Sequence, residues 1–323
     1  MKTLSEIQHL LSTEIEKINL HRNPHGLYSP IRYTLSLGGK RIRPVLSLLA
    51  CNLFTDDIQP AVNPALGLEI FHNFTLLHDD IMDKADVRRG KPTVHKKWNE
   101  NTAILSGDVM MILAYQYMSA VPEQHLPKVL NAFSKMAVEI CEGQQFDMEF
   151  ESREDVSAEE YLNMIRLKTA VLLGTALKIG TWVGGGSDED AELLYDFGIK
   201  IGLAFQLQDD LLDVYGDETT FGKKLGGDIT CNKKTFLLIH AKNLATDEDA
   251  EKLTHYLNIT EASDEKFSAV VSIYNKLGVR KICEEWMENY YNEAIAALEK
   301  VSVSTEKKQE LRNLAKNLMA RED

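Results

Sequence analysis

Cysteine is scarce: there are four in 323 residues (Cys51, Cys141, Cys231 and Cys283), far apart and without a CxxC pair. That excludes a disulfide framework and a cysteine-rich zinc site, and it predicts reduced thiols in a cytoplasmic protein. Positive charge is also short. The formal net charge of −13 argues against nucleic acid as a partner. Long apolar runs are missing too. The longest, residues 170–186, is interrupted by Lys178 and ends in three glycines, so no stable membrane insertion is expected. The first residues, MKTLSE, are polar and acidic, which is not the pattern of a signal peptide. Alternating strand-type runs, a GxxxxGK[ST] phosphate loop and low-complexity linkers are all lacking.

What is present is helical spacing on a globular composition, 44% apolar and 26% charged. Leu4, Ile7, Leu11, Ile15 and Ile18 make one stripe, Val45, Leu48, Leu49 and Leu53 another, and Leu193, Leu194, Phe197 and Ile201 a third. Ser157-x-x-Glu160 and Thr246-x-x-Asp249 read as helix caps. Breaks are expected at residues 56–64, 121–127, 152–157, 184–190 and 215–227. None is long enough to divide the chain. The expectation is one all-α domain, residues 1–323, of about a dozen helices.

Two stretches carry chemistry: Asp79-Asp80-Ile81-Met82-Asp83 and Asp209-Asp210-Leu211-Leu212-Asp213. On a helix, the first and last carboxylates of Asp-Asp-x-x-Asp lie on one face, one turn apart. Like charges at that spacing repel, and desolvating them without a counter-ion is costly. One such pair reads equally well as a solvated helix face. Two, both framed by apolar sequence, call for cations, and short oxygen ligands suit Mg²⁺.

Basic residues accompany both motifs. Lys40, Arg41 and Arg43 follow a Gly pair at the start of a predicted helix over residues 45–53, a ready anion site. Arg88-Arg89-Gly90 lies in a predicted loop, residues 87–92. His72 sits seven residues before Asp79, two turns back on the same face. Lys168-Thr169 follows the cap at Ser157, while Lys223-Lys224 and Lys233-Lys234-Thr235 follow the second motif. Singly, each reads as surface or core. Together they describe a site for substrates bearing several phosphates.

The segments GGKRIRP, HDDIMD, RRGKPTVH, CEGQQFD, RLKTA, FQLQDDLLD, FGKKLGGDI and KKT, in this order over residues 38–235, resemble the trans-isoprenyl diphosphate synthases. The resemblance implies a bundle of mostly antiparallel helices around a deep central cavity, usually a homodimer. It implies condensation of an allylic diphosphate (dimethylallyl, geranyl or farnesyl) with isopentenyl diphosphate. It also implies Mg²⁺, three ions, with Mn²⁺ able to substitute. Asp79, Asp83 and Asp209 match metal ligands, with Asp80 and Asp213 supporting. Arg88, Lys168 and Lys223 match contacts of the allylic diphosphate, with Lys233 adding to them and Lys224 a less certain match. Lys40, Arg43, His72 and Arg89 match contacts of isopentenyl diphosphate. Thr169 and Gln206 match residues lining the place where the allylic cation forms, and Gln144 and Asp147 match an element facing the same cavity.

Chain length is read from the helix before the first motif. Phe74 and Phe71 lie about 7.5 Å and 12 Å along the axis from Asp79. A ring there forms a floor under the growing chain, unless both rings are simply core. An aromatic five before the motif with Thr75 at four resembles geranylgeranyl diphosphate synthases. Farnesyl diphosphate and long-chain products are the alternatives. A terpene cyclase is disfavoured by the second Asp-Asp-x-x-Asp, and a catalytically silent partner subunit by the intact motifs.

Overall fold

Apolar residues spaced for helices form helices nearly wherever that spacing occurs. The computed structural model describes residues 1–217, 225–259, 261 and 263–320. In chain order these are α1 (Leu4–Glu16), α2 (His25–Ser36), α3 (Ile42–Phe54) and α4 (Gln59–Met82), then a hairpin of β1 (Val87–Arg88) and β2 (Lys91–Pro92), α5 (Val94–Lys97) and α6 (Glu100–Met118). A 3₁₀ turn at Glu123–His125 leads into α7 (Leu126–Ser152), α8 (Ala158–Ile165), a π-helical turn at Arg166–Ala170, α9 (Val171–Val183) and α10 (Asp188–Tyr215). The last elements are α11 (Gly227–Thr230), α12 (Phe236–Leu244), α13 (Asp247–Leu257), α14 (Asp264–Leu277), α15 (Val279–Lys300) and α16 (Gln309–Met319). The fold is all-α.

Two compact units result. The first comprises Met1–Ser134, Thr175–Tyr195 and Ser302–Glu310. Its α3 is mostly apolar and buried on every side from Pro44 to Leu53, as expected of a helix enclosed by others. Beside it, α1 turns Ile7, Leu11 and Ile15 inward and is fixed at its start by a capping box between Thr3 and Glu6. The second unit contains the described residues of 135–174 and 196–301 and those from Leu311 on. Its core gathers Leu203, Leu207, Leu211 and Val214 from α10 around Tyr161, Phe236, Tyr274 and Cys283.

Several local expectations are corrected. The break placed at residues 56–64 is shorter, because α4 already begins at Gln59 with proline in its first turn, where the missing N–H is harmless. The segment 87–92 is a two-stranded hairpin rather than a loop, turning at Arg89 and Gly90, both at positive φ. The box at Ser157 and Glu160 forms, whereas the Thr246 side chain makes no cap bond although α13 starts beside it. Among the described residues no single helix is long and apolar enough to cross a membrane.

Candidate functional site

In the first unit the acidic motif occupies the last turn of α4, where exposed carbonyls already concentrate negative charge. The sequence answers with the hairpin. Its turn returns Arg88 to the helix, and both Nε and a terminal nitrogen of Arg88 lie 2.8 Å from Asp80 Oδ1. Burial raises the Asp80 carboxyl and Arg88 opposes that rise. The hairpin is held by Tyr33, whose hydroxyl donates to the Pro92 carbonyl at 2.7 Å, and by Thr93, which donates to the Ala85 carbonyl at 2.7 Å. Asp79 is half-buried and Asp83 exposed, one turn apart as the spacing requires.

The cations near the Gly pair also assemble in this unit. Arg89 donates to the Gly38 carbonyl, and its guanidinium lies so close over Gly39 that a Cβ there would meet it at 2.7 Å. Arg41 caps α3 from the left-handed region and donates to Ser12 Oγ at 2.9 Å, which ties α1 to the loop. Lys40 is exposed and Arg43 half-buried. Burial, then Arg43, Arg89 and Arg88, push the His72 imidazole well below its ordinary range, so it is neutral at neutral pH.

Sequence reasoning missed a residue here. Glu69 is 4% exposed, one turn before His72 and Asn73. Asn73 Nδ2 donates to Glu69 Oε1 at 2.9 Å and to the Glu69 carbonyl at 2.8 Å. Burial raises this carboxyl, while Arg43, Arg41 and Arg89 pull it down. The available signal was a charged residue within an apolar helix, in step with His72.

The proposed floor residues differ in placement. Phe71 has no exposed surface and packs edge-on against Phe133, ring centres 5.2 Å apart, with Tyr115 on the far side of Phe133 at 4.9 Å. Phe74 is half-buried between Phe71, at 5.5 Å, and His78, at 4.8 Å. The Thr75 hydroxyl donates to the His72 carbonyl at 2.8 Å.

In the second unit the motif lies in the last two turns of α10. Asp210 points inward, 5% exposed, and accepts from the Tyr161 hydroxyl at 2.6 Å and the Phe236 amide at 3.2 Å. Burial, with the Asp228 charge, pushes its carboxyl up to about 7 despite these bonds. Asp213 accepts the Asp228 amide at 3.0 Å, capping α11, and its carbonyl accepts the Gly226 amide at 2.7 Å. Asp213 is therefore a structural cap as well as a candidate ligand. Lys233 Nζ lies 4.0 Å from Asp228 Oδ1. Asp209 and Gln206 are half-buried. Lys223 and Lys224 lie outside the described residues.

Lys168 and Thr169 belong to the π turn, an irregularity common at functional sites. Lys168 Nζ is 2.5 Å from Asp147 Oδ2. The Gly-Gln-x-x-Asp element explains the approach: a Cβ on Gly143 would sit 2.4 Å from the Lys168 amide nitrogen, so only glycine lets α7 come this near. Gln144, next to it, is buried.

Among the described residues no three His, Cys, Asp or Glu side chains are gathered as a ready metal cage. The donor chemistry still fits Mg²⁺. The outer positions are hard carboxylates in one-turn pairs, and Mg²⁺ takes one or two carboxylates plus phosphate oxygens rather than a full protein cage.

A profile of the polyprenyl synthetase family matches residues 24–274. The geranylgeranyl diphosphate synthase of Methanosarcina mazei is 44% identical over 220 residues, 68% of each chain. The geranylfarnesyl diphosphate synthase of Natronomonas pharaonis is 38% identical over 275 residues, 80% of this chain and 79% of that one. A crystal structure of a geranylgeranyl pyrophosphate synthase matches with a TM-score of 0.95 at 43% identity, covering 100% of both chains. The order of the motifs, the helical fold and a profile match that spans most of its length lead to one conclusion: the chain belongs to the polyprenyl synthetase family.

Proposed function

We propose that the chain is a Mg²⁺-dependent prenyl transferase that condenses an allylic diphosphate with isopentenyl diphosphate, with geranylgeranyl diphosphate as its main product. The observation that carries this reading is the shared design of the two acidic motifs. In each, the middle aspartate is turned into the protein and engaged there, by Arg88 or by Tyr161 and the Phe236 amide. Of the outer aspartates, Asp79 on α4, Asp83 at its C-terminal cap and Asp209 on α10 are assigned to metal, with Asp80 and Asp213 supporting.

Asp79, Asp83 and Asp209 hold Mg²⁺, three ions by the family pattern with Mn²⁺ able to substitute. The metal supplies charge neutralisation of the leaving diphosphate. Arg88, Lys168, Lys223 and Lys233 bind the allylic diphosphate, and they offset the charge that grows as its C–O bond breaks and the electron pair leaves with diphosphate. Thr169 and Gln206 present oxygen dipoles toward the allylic cation. Lys40, Arg43, His72 and Arg89 hold isopentenyl diphosphate so that its double bond supplies the pair for the new C–C bond. A neutral His72 adds a hydrogen bond to that group without adding charge. The resulting cation loses its proton to the departed diphosphate.

Phe74 and Thr75 form the floor that sets chain length, with Phe71 and Phe133 as backing behind Phe74. The names of the relatives support a product of this size, and the geranylfarnesyl enzyme marks the direction in which a deeper floor leads. Residues 1–323 act as one synthase domain, in keeping with a profile match that runs through both units. The working form is a cytoplasmic homodimer. The exposed apolar side chains Ile104, Leu105 and Ile112 on α6 support association.

Steady-state turnover tests the reading. Asp79→Asn and Asp209→Asn should each fold and lose about 10²–10³ in rate, the typical effect of removing one preorganised electrostatic contact. Wild-type turnover in either variant at saturating Mg²⁺ would overturn it.

A further inference from the structure

Lys266, on the first turn of α14, is 1% exposed. Among the described residues its ammonium has no carboxylate partner. Its three donors meet three neutral acceptors instead: the Asn232 side-chain oxygen at 2.8 Å, the Ile259 carbonyl at 2.8 Å and the Thr230 carbonyl at 3.2 Å. A buried cation satisfied only by neutral groups carries a desolvation cost that no Coulomb attraction repays. An apolar residue would fill the same space more cheaply. What the lysine achieves is to join two places that are far apart in sequence, the end of α13 and the connection between α11 and α12.

That connection bears Lys233, and it is fixed from several sides. Asn232, in the left-handed region, also donates from Nδ2 to the Leu257 carbonyl at 2.8 Å. The Phe267 ring, next to Lys266, presses on Gly226, where a Cβ would meet it at 2.4 Å. The Lys233 amide donates to the Asp228 carbonyl at 2.9 Å. The Asp228 amide in turn donates to Asp213 of the acidic motif at 3.0 Å. Lys266 is therefore bonded to residues 230 and 232, the backbone carries that hold one residue on to Lys233, and hydrogen bonds through Asp228 continue to Asp213 on α10.

We propose that Lys266 is a positioning residue, which sets the place of Lys233 by holding residues 230–232 against the end of α13. The inference rests on the reading above in which Lys233 binds the allylic diphosphate. It gives the helices beyond residue 240 a part in the reaction without contact with substrate.

The test is a double-mutant cycle on the full-length enzyme, using Lys233→Ala, Lys266→Met and the two together. Initial rates are measured against allylic diphosphate and, separately, against isopentenyl diphosphate. Lys266→Met should raise the allylic KM about tenfold, the scale of lost hydrogen bonds to a charged group, and leave the isopentenyl KM unchanged. The double variant should be no worse than Lys233→Ala alone, because both changes remove the same interaction. Additive effects, equal changes in both KM values, or no change on Lys266→Met would overturn the inference while leaving Lys233 a substrate contact. An unchanged allylic KM in Lys233→Ala would overturn the assignment of Lys233 and the inference with it. Should Lys266→Met fail to fold by circular dichroism, Asn232→Ala removes one of the same bonds and takes its place in the cycle.

Discussion

Asp80 and Asp210 occupy the same position in the two acidic motifs, and in both the protein supplies the counter-group, a guanidinium for one and a phenol plus a backbone amide for the other. The repeated motif and the helical phase of its outer members could be read from the sequence. The inward partners could not, since they come from residues 8, 49 and 26 positions away. Glu69 and the bond from Lys168 to Asp147 escaped notice for the same reason: burial and pairing are tertiary facts. Two predictions belong to single residues. The first is the division of substrates. Arg43→Ala should chiefly raise the KM for isopentenyl diphosphate, whereas Lys168→Ala should affect the allylic substrate or the chemical step; a Lys168→Ala variant changed only in its isopentenyl KM contradicts that map. The second concerns pH. Because the folded His72 binds its proton less readily than an ordinary histidine, the unfolded chain takes up more protons as the pH falls. Its stability contribution is complete above the ordinary histidine range and is lost as pH falls toward the lower folded value. Urea unfolding between pH 7 and pH 5 should therefore show a steeper loss for wild type than for His72→Gln, and equal slopes would contradict a neutral, enclosed His72.

At the scale of elements, periodicity identified the helices but not their interruptions. The π turn at Arg166–Ala170 looks like unbroken helix in sequence, and the hairpin at residues 87–92 is too short for an alternating pattern. Both irregularities carry candidate substrate contacts, Lys168 on one and Arg88 and Arg89 on the other. Gly143 links the π turn to α7, so Gly143→Ala should destabilise the protein by about 1–3 kcal/mol through overpacking. It should also weaken allylic binding by separating Asp147 from Lys168. A variant with unchanged midpoint in urea and unchanged allylic KM would show that the close approach is not required. On α4, the ring ladder from Phe74 through Phe71 to Phe133 predicts that Phe74→Ala opens one layer of the floor and lengthens the product beyond geranylgeranyl diphosphate. An unchanged product distribution would place the floor elsewhere.

At the scale of the whole molecule, the all-α class was legible because helical stripes such as Ile7, Leu11 and Ile15 in α1 and Val45, Leu48, Leu49 and Leu53 in α3 recur along the chain. The division into two units was not legible, because each is assembled from stretches separated along the chain while the breaks in sequence are short. The activity was legible for a different reason: paired hard carboxylates accompanied by cations suit substrates bearing several phosphates, and the order of the motif segments resembles that of the trans-isoprenyl diphosphate synthases. The most direct measurement is product analysis. The purified protein is incubated with Mg²⁺, labelled isopentenyl diphosphate and, in turn, dimethylallyl, geranyl and farnesyl diphosphate, and the prenyl chains are sized. The account predicts Mg²⁺-dependent formation of mainly geranylgeranyl diphosphate. Failure to incorporate label with any of the three primers would contradict it.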